Sequence, residues 1–349
     1  MLALVKTAAG PGNMELVDVP KPKPGPGQVM VEIAYAGICG SDLHIQDGDI
    51  QLNLRLPVVM GHEFSGTVAE IGEGVQGFEV GQAVVSETAF HTCGDCLACH
   101  TGNDNVCAEK HLIGYVYPGV FTEYVVLPAR RVHALPANVS LLSAVMCEPL
   151  ASAVRGVYEQ IRITPGDVVV VAGPGGMGLL SLQLAKAAGA TVVVTGAQPD
   201  EERLKTALSL GADRVVNVVR EDLKALLWEM TRGEGADVYI EASGAPASVR
   251  AGLEVTRRRG QYLQLGLPGA PFEIDMAKIA YREIQVMGTL GQKWTAWERG
   301  LKLLATGQVV TEPLITDIFP LTEWERAFAR FRAKEGIKIA LTPVKQGSS

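Results

Sequence analysis

The 349-residue sequence lacks an excess of positive charge, a long apolar run and a low-complexity segment. A formal net charge of −7 argues against nucleic acid or an anionic membrane surface as the main partner, although an anionic dinucleotide needs only local positive potential. No apolar run reaches membrane-spanning length, and residues 1–9 lack the basic start and long apolar segment of a signal peptide. We therefore expect a cytoplasmic protein without a membrane partner.

The composition is typical of a globular protein, with 47% hydrophobic and 20% charged residues. At this length the chain can form two domains, each with its own core. Cysteine is scarce, with six residues in the whole chain. Because disulfides are rare in a reducing compartment, we interpret these cysteines as candidate metal ligands.

An unbroken β-branched run that ends in glycines, VVVVAGPGGMG, occupies residues 168–178. The run is typical of a parallel strand that is buried on both faces. Its glycines fit G-x-G-x-x-G, where a tight turn, close approach to a pyrophosphate and close helix packing each exclude a side chain. Residues 179–188 predict a helix whose N-terminus would face the phosphates. The predicted dinucleotide-binding residues of this loop are Gly173, Gly175, Gly176, Met177 and Gly178.

The rhythm of apolar residues changes near residue 161. Glycine, proline and short alternating runs predict a compact antiparallel β domain in residues 1–150. In residues 151–290, strand-like runs alternate with helix-like stretches, which predicts a doubly wound parallel sheet of the α/β class. Residues 291–349 are too few for a domain and are expected to return to the first one. The predicted strands of the parallel sheet are residues 168–172, 191–195, 214–218, 237–241, 261–265 and 284–288.

Four cysteines lie in one loop-like segment, TCGDCLACHTGNDNVC. Four thiolates at this spacing can converge on a tetrahedral ion, and a closed four-cysteine shell is the usual structural zinc site. Disulfides and an iron–sulfur cluster are the alternatives. The predicted ligands of the structural zinc are Cys93, Cys96, Cys99 and Cys107.

A second constellation combines Cys39, His62, Glu63 and Glu148. Singly, each has an ordinary explanation, such as a buried small residue, a turn histidine or a surface charge. Together they supply a thiolate, an imidazole and a carboxylate, and leave the shell open for water or substrate, as a catalytic zinc requires.

The ordered motifs GICGSDLH, GHEFSGTVAEIGEGV, the four-cysteine loop, CEPLA and VAGPGGMG resemble the zinc-dependent medium-chain alcohol dehydrogenase family over essentially the whole chain. The glutamate of CEPLA makes the sequence most similar to the polyol, or sorbitol-type, branch. The resemblance implies a GroES-like β-barrel catalytic domain interrupted by a Rossmann domain, with zinc and nicotinamide in the cleft between them.

The resemblance also assigns roles. Cys39 and His62 would bind the catalytic zinc, with Glu63 as the third protein ligand and Glu148 as an alternating ligand or water anchor. A one-residue slip would instead make Cys147 a ligand, but adjacent side chains diverge and rarely reach one ion. The zinc would act as a Lewis acid on the alcohol hydroxyl, and hydride would pass to the nicotinamide. Ser41 and His44 match the family's proton relay, for which a histidine that titrates near neutrality is suited.

The choice of nicotinamide cofactor depends on the end of the predicted strand 191–195. Relatives specific for NAD usually carry an acidic residue there, where this sequence has Gly196. The missing carboxylate makes NADP acceptable, and Arg203 is a candidate partner for its 2′-phosphate. We expect NADP, with dual use of NAD and NADP as the next alternative.

The expected substrate is a polyol or vicinal diol, because a second hydroxyl could reach the metal. An aldose, threonine or a simple secondary alcohol remains an alternative. Residues 287–294, Phe90 and Tyr115 are candidates for the substrate pocket. A non-catalytic nucleotide-binding sensor and a zinc-free quinone or enoyl reductase are the competing classes, and the complete zinc constellation argues against both. Relatives pair their last Rossmann strand, here residues 284–288, across a two-fold axis, so a homodimer or homotetramer is expected.

Overall fold

The computed structural model describes residues 1–49 and 53–343. The strands are β1 (Leu2–Lys6), β2 (Met14–Asp18), β3 (Gln28–Gly37), β4 (Val58–Val59), β5 (Glu63–Ile71), β6 (Ala83–Ser86), β7 (Ala89–His91), β8 (His111–Leu112), β9 (Tyr124–Pro128), β10 (Val132–Ala134), β11 (Val168–Ala172), β12 (Thr191–Gly196), β13 (Arg214–Asn217), β14 (Ala236–Glu241), β15 (Thr256–Gln264), β16 (Gln285–Gly288), β17 (Ile315–Pro320) and β18 (Lys338–Thr342).

The helices are α1 (Gly40–Asp47), α2 (Leu97–His100), α3 (Leu141–Ala144), α4 (Cys147–Glu159), α5 (Gly176–Ala187), α6 (Glu201–Ser209), α7 (Leu223–Thr231), α8 (Pro246–Val255), α9 (Met276–Arg282), α10 (Trp294–Ala305) and α11 (Trp324–Arg332). Within the described ranges, no helix has both the length and the apolar character needed to cross a membrane.

The chain forms two compact units. The first unit contains Met1–Glu148, Gln292–Ala305 and Val310–Ser349, and the second contains Pro149–Gly291 and Thr306–Val309. In the first unit the main sheet has the order β10-β6-β5-β3-β18-β17, and β9 also pairs with β3. The ten-residue strand β3 is long enough to pair with β9 near its start and with β18 near its end.

The antiparallel pairing predicted for residues 1–150 is confirmed for β3 with β5 and β9. The closing strands add to this sheet, because β18 pairs antiparallel with β3 and parallel with β17. They can do so because α11 separates them in the chain, and a parallel pair needs such a crossover connection. The core of the first unit is built from the inward-facing apolar residues of its main sheet and α11.

The second unit contains a six-stranded parallel sheet in the order β13-β12-β11-β14-β15-β16. This is the strand order 3-2-1-4-5-6 of a dinucleotide-binding doubly wound fold. The predicted α/β class is therefore confirmed, and each of the six predicted strands overlaps an observed one. Strand β11 lies between β12 and β14, and its Val169, Val170 and Val171 are fully buried, as is typical of a strand inside a parallel sheet.

Candidate metal centres and nucleotide site

Strands β3 and β5 bring the first candidate metal ligands together. In their antiparallel register Gly37 lies opposite Glu63, so Cys39 and His62 extend just beyond the paired ends. One ligand atom each of Cys39, His62 and Glu63 lies within 4.8 Å of the others. His62 and Glu63 are buried, whereas Cys39 is partly exposed. The group therefore combines three donors with an accessible side, which is the pattern of a zinc shell that leaves one position open.

Asp42 lies directly behind this group, and sequence reasoning missed it. Its Oδ2 accepts a hydrogen bond from the Cys39 N–H at 2.8 Å, which caps helix α1. Its Oδ1 lies 3.8 Å from Nδ1 of His62, beyond hydrogen-bond distance, and neither atom has a hydrogen-bond partner among the described residues. Burial raises the pKa of Asp42 to about 6. A carboxylate behind a ligating histidine fixes the orientation of the imidazole, so the site fits a metal. The capping-box spacing Cys39-x-x-Asp42 was the available signal.

Lys338 is the second residue that the sequence did not identify. Its Nζ donates to Oε2 of Glu63 at 2.5 Å and to the Ile38 carbonyl at 2.9 Å. The side chains of Lys338 and Glu63 are both buried. Burial alone would lower the pKa of Lys338, but the neighbouring Glu63 and Cys39 raise it above its usual value. A Cβ on Gly37 would lie 2.5 Å from Oε2 of Glu63. Glycine at this position therefore leaves the space in which the ion pair forms.

Glu148 and Cys147 lie at the start of α4, and within the described residues neither joins the group of three. Gln292 Nε2 donates to Oε1 of Glu148. Desolvation, followed by the charge of Glu63, raises the pKa of Glu148 to about 7. Cys147 is buried, and burial raises the pKa of its thiol. This environment favours an apolar core cysteine rather than a thiolate ligand.

Two hydroxyl groups adjoin the Cys39, His62 and Glu63 group. The Tyr115 ring centroid lies 5.6 Å from that of His62, and the phenol interacts with the Ser41 side chain. Burial raises the pKa of Tyr115 to about 12, and Oγ of Ser41 is buried without a hydrogen bond of ordinary geometry. His44 is different, since its side chain is 43% exposed and its Nδ1 lies 2.9 Å from Oδ1 of Asp49. Ser41 thus lies beside Tyr115, which itself adjoins His62, and His44 is partly exposed to solvent.

The four predicted structural ligands also converge. One sulfur atom each of Cys93, Cys96, Cys99 and Cys107 lies within 4.8 Å of the others. The Sγ of Cys93 is 3.5 Å from that of Cys107 and 3.9 Å from that of Cys99. Sulfurs at zinc-ligand distance in a tetrahedron are about 3.8 Å apart, so the cluster fits zinc. All four cysteines are free, which contradicts the disulfide alternative.

The surroundings of the cluster shift the pKa values of two of its thiols in opposite directions. Backbone N–H groups of Asp95 and Cys96 lower the pKa of Cys93 to about 7, whereas desolvation raises that of Cys99 to about 12. Cysteine binds zinc as the thiolate, so a zinc ion bound here would favour the deprotonated form of its ligands.

Arg131 anchors the four-cysteine loop to the sheet. Its guanidinium donates to Oε2 of Glu87 at 2.6 Å, to Oδ2 of Asp104 at 2.8 Å and to Oγ1 of Thr92 at 3.0 Å. Arg131 and Glu87 are buried, and Asp104 lies between the third and fourth cysteines of the loop. The hydrogen bond to Thr92 and the ion pair with Asp104 therefore hold the loop near both of its ends.

The glycine loop of the second unit has the geometry of a phosphate cradle. Gly173 adopts φ +100°, and a Cβ on Gly178 would lie 1.8 Å from the Gly173 carbonyl oxygen. A Cβ on Gly175, the N-cap of α5, would instead enter open space. Gly176 and Met177 begin the helix, whose free N–H groups point out of this end. The residues present fit an anionic dinucleotide.

The end of β12 has a second feature that bears on the choice of cofactor. Gly196 does end the strand, but the space beside it is filled, because a Cβ there would lie 2.9 Å from Cβ of Asp200. Asp200 turns back, so that Oδ2 accepts from the Ala197 N–H at 2.9 Å and Oδ1 lies 3.6 Å from Nη1 of Arg203. A carboxylate therefore stands near this strand end after all, and it faces the arginine expected to bind a phosphate.

Two family descriptions match the chain. "Alcohol dehydrogenase GroES-like domain" matches residues 25–137, and "Zinc-binding dehydrogenase" matches residues 176–306.

Similar curated proteins span the full chain. Sorbitol dehydrogenase of Halalkalibacterium halodurans is 41% identical over 99% of this chain and 100% of that protein. D-arabitol-phosphate dehydrogenase of Enterococcus avium is 38% identical over 98% of this chain and 97% of that protein. L-threonine 3-dehydrogenase of Pyrococcus furiosus is also 38% identical, over 97% of both chains.

Solved structures agree with these relatives. A zinc-binding dehydrogenase from Sinorhizobium meliloti 1021 bound to NADP has a TM-score of 0.89 and 29% identity, with 98% of this chain and 99% of that chain covered. 2R,3R-butanediol dehydrogenase from Bacillus subtilis has a TM-score of 0.88 and 30% identity, with the same coverage. The chain therefore belongs to the polyol branch of the zinc-dependent medium-chain alcohol dehydrogenase family and is an alcohol or polyol dehydrogenase with a nicotinamide cofactor, as its motifs predicted.

Proposed function

We propose that this enzyme oxidises a secondary hydroxyl of a polyol or vicinal diol to the ketone, with a zinc ion held by Cys39, His62 and Glu63. The observation that carries the proposal is the gathering of these three ligand atoms within 4.8 Å, next to the hydroxyls of Ser41 and Tyr115. A zinc bound there would act as a Lewis acid on the alcohol oxygen. Glu63 is ranked before Glu148 because only Glu63 joins the group among the described residues.

Side chains near the candidate metal site would carry the proton that leaves the alcohol. Ser41, whose Oγ is buried, would accept the proton of the alcohol as it gives up its own hydroxyl proton toward His44. His44 would exchange that proton with water, since it is exposed and held by Asp49. Asp42 would keep His62 in the orientation that ligation requires.

The two hydroxyls beside the metal ligands support the proposed substrate class. A substrate hydroxyl next to the reacting one would meet Tyr115 or Ser41, both of which can donate and accept hydrogen bonds. The names of similar proteins favour the same class, since they include sorbitol, arabitol phosphate and butanediol dehydrogenases. Threonine, a 3-hydroxy amino acid, is the second candidate, because threonine dehydrogenases are nearly as similar.

We further propose a second, structural zinc at Cys93, Cys96, Cys99 and Cys107, and NADP as the preferred cofactor with NAD also accepted. The sulfur spacing supports the metal. Gly196 and the nearby Arg203 support NADP, and the carboxylate of Asp200 limits that preference. The glycine-loop residues from Gly173 to Gly178 would hold the pyrophosphate.

We also propose that the enzyme is a homodimer at least. Strand β16 forms an edge of the parallel sheet, and Val286 on it is 44% exposed. An exposed apolar edge strand normally requires a cover, which a second copy would provide.

The test is nicotinamide reduction, followed by absorbance, over polyols, vicinal diols, aldoses, threonine and simple secondary alcohols. Each is run with NAD and NADP, before and after chelation. Turnover of a polyol that is lost on chelation supports the proposal. The Cys39→Ala variant should be inactive, whereas Cys147→Ala, a matched change of a cysteine outside the group, should retain activity. Unchanged turnover in Cys39→Ala would overturn the metal assignment, and a preference for threonine would overturn the substrate class. Dinucleotide binding without turnover of any alcohol would favour the sensor.

A further inference from the structure

Glu241 is a fully buried carboxylate at the carboxyl end of β14. Among residues 1–49 and 53–343, its hydrogen-bond partners are neutral donors and not a cation. Its Oε1 accepts from the N–H of Ser243 at 3.0 Å and from the Ser243 hydroxyl, and its Oε2 accepts from the N–H of Gly244 at 2.9 Å and from Nε2 of Gln264 at 3.0 Å. A buried carboxylate is tolerated when charge-assisted hydrogen bonds of this kind satisfy it.

These bonds fasten two loops to each other, one after β14 and one after β15. The main-chain carbonyl of Glu241 accepts from the N–H groups of Leu265 and Gly266 at 2.9 and 2.8 Å. Gln264 also donates to the Gly266 carbonyl at 2.7 Å. A Cβ on Gly244 would lie 2.5 Å from the Leu267 carbonyl oxygen, so the two backbones touch. The carboxylate is therefore the common anchor of both loops.

The first of these loops lies beside the phosphate cradle. The Ala242 N–H donates to the Ala172 carbonyl at 2.9 Å, and a Cβ on Gly173 would lie 2.8 Å from Cβ of Ser243. The sheet reverses its order between β11 and β14, which is the point across which a doubly wound fold binds a dinucleotide. The cradle after β11 and the end of β12 serve the pyrophosphate and adenosine ribose, so the loops after β14 and β15 serve the other mononucleotide half.

We propose that Glu241 is a positioning residue for the nicotinamide half of the cofactor, acting through the backbone of the loops after β14 and β15. The carboxylate does not itself contact the dinucleotide. It fixes the N–H and carbonyl groups of residues 242–245 and 265–267 in the conformation that receives the nicotinamide nucleoside. The inference depends on the nicotinamide cofactor of the family and not on the identity of the alcohol.

Glu241→Gln tests the proposal, since it keeps the side-chain volume but replaces one acceptor oxygen with an N–H2 that faces donors. The readouts are equilibrium dissociation constants for NADH and NADPH, from cofactor fluorescence, and for ADP-ribose, which lacks the nicotinamide, from calorimetry. We expect the dissociation constant of the better reduced cofactor to rise about tenfold, as when a charge-assisted hydrogen bond is lost, with ADP-ribose changed less than about twofold.

Asp237→Asn is the matched control. Asp237 lies on the same strand and also accepts from a backbone N–H, that of Val168 at 2.7 Å, and pairs with Arg257, but it lies at the amino end. This variant should bind both ligands as the wild type does. If Glu241→Gln does not fold, Gln264→Leu provides a milder test, because it removes the hydrogen bond from Gln264 to Glu241 and keeps the carboxylate. This variant should bind NADH severalfold more weakly and ADP-ribose as tightly as the wild type does.

A folded Glu241→Gln protein that binds NADH as tightly as wild type would overturn the proposal. So would an equal loss for NADH and ADP-ribose, which would assign Glu241 to the stability of the sheet as a whole. Because these are binding measurements, they remain decisive even if no polyol is turned over.

Discussion

Replacing Lys338 with Met should destabilise the zinc-free enzyme strongly, because it leaves the carboxylate of Glu63 buried without its cation. In the wild type Nζ of Lys338 lies 2.5 Å from Oε2 of Glu63, and the two side chains are 7% and 2% exposed. Methionine fills most of the lysine volume, so the change removes the charge and its hydrogen bonds more than the packing.

The magnitude follows from the burial of both partners. Removing one partner of a buried ion pair costs about 3–5 kcal/mol, because the remaining charge is desolvated and uncompensated. At about 2–4 °C per kcal/mol for a unit of 150–250 residues, the melting temperature should fall by about 6–20 °C. The double variant Lys338→Met, Glu63→Gln carries no buried charge at this position and should recover most of the loss.

The assay is thermal unfolding of the full chain by calorimetry, after chelation and after zinc is restored. If Glu63 is a ligand, the metal takes over the neutralising role of Lys338. Zinc should then raise the melting temperature of the Lys338→Met enzyme more than that of the wild type.

Two results would refute this reasoning. A shift below about 2 °C in the chelated single variant would mean that the pair contributes no more than a surface salt bridge. An equal zinc-induced shift in wild type and Lys338→Met would mean that Glu63 is not neutralised by the metal.

Three further predictions concern the other parts of the enzyme. Asp200→Asn keeps the hydrogen bond to the Ala197 N–H but removes the negative charge that would repel the 2′-phosphate of NADP. A repulsion of about 1–2 kcal/mol corresponds to about a tenfold rise in the ratio of kcat/KM for NADP to kcat/KM for NAD. A fall in this ratio would contradict the prediction. Arg131→Met should speed zinc release from the four-cysteine loop by about 10- to 100-fold, as measured with a chromogenic chelator. An unchanged rate of release from a folded variant would show that the contacts of Arg131 are not needed to retain zinc. Tyr115→Phe should lower kcat/KM for a vicinal diol about tenfold and leave kcat/KM for a simple secondary alcohol unchanged. Tyr117→Phe is the control, because the Tyr117 ring stacks on Phe90 and not on His62. Equal losses for both alcohols would rule out recognition of the second hydroxyl by Tyr115.

The parallel sheet was predictable because its signals are local. Unbroken β-branched runs specify strands buried on both faces, and strand β11 has the predicted bounds. The glycine pattern likewise reports on backbone geometry within six residues, so the left-handed Gly173 and the tight approach of Gly178 to it follow from the sequence. The spacing of the four cysteines also anticipated their convergence, because a short loop limits how far the sulfurs can separate.

The charged neighbours of the site were not predictable in this way. Lys338 and Glu63 are 275 positions apart in the sequence, and no local motif around either residue indicates that the two form an ion pair. The same holds for Asp104 and Arg131, which are joined across the four-cysteine loop. The position of Asp200 depends on tertiary structure for a related reason, since its side chain turns back to the strand end at which Gly196 supplies no carboxylate.

The sequence by itself determined the classes of residue available for chemistry: thiol, imidazole and carboxylate groups at spacings that suit two metal sites, and a glycine loop that suits a phosphate. Only the tertiary structure decided how these groups are held. The register of β3 against β5 places Gly37 opposite Glu63, and β18 then brings Lys338 beside that carboxylate. Local patterns are set by backbone sterics and periodicity, whereas ion pairs and buried carboxylates depend on which distant strands become neighbours. That choice is made by the packing of the whole unit.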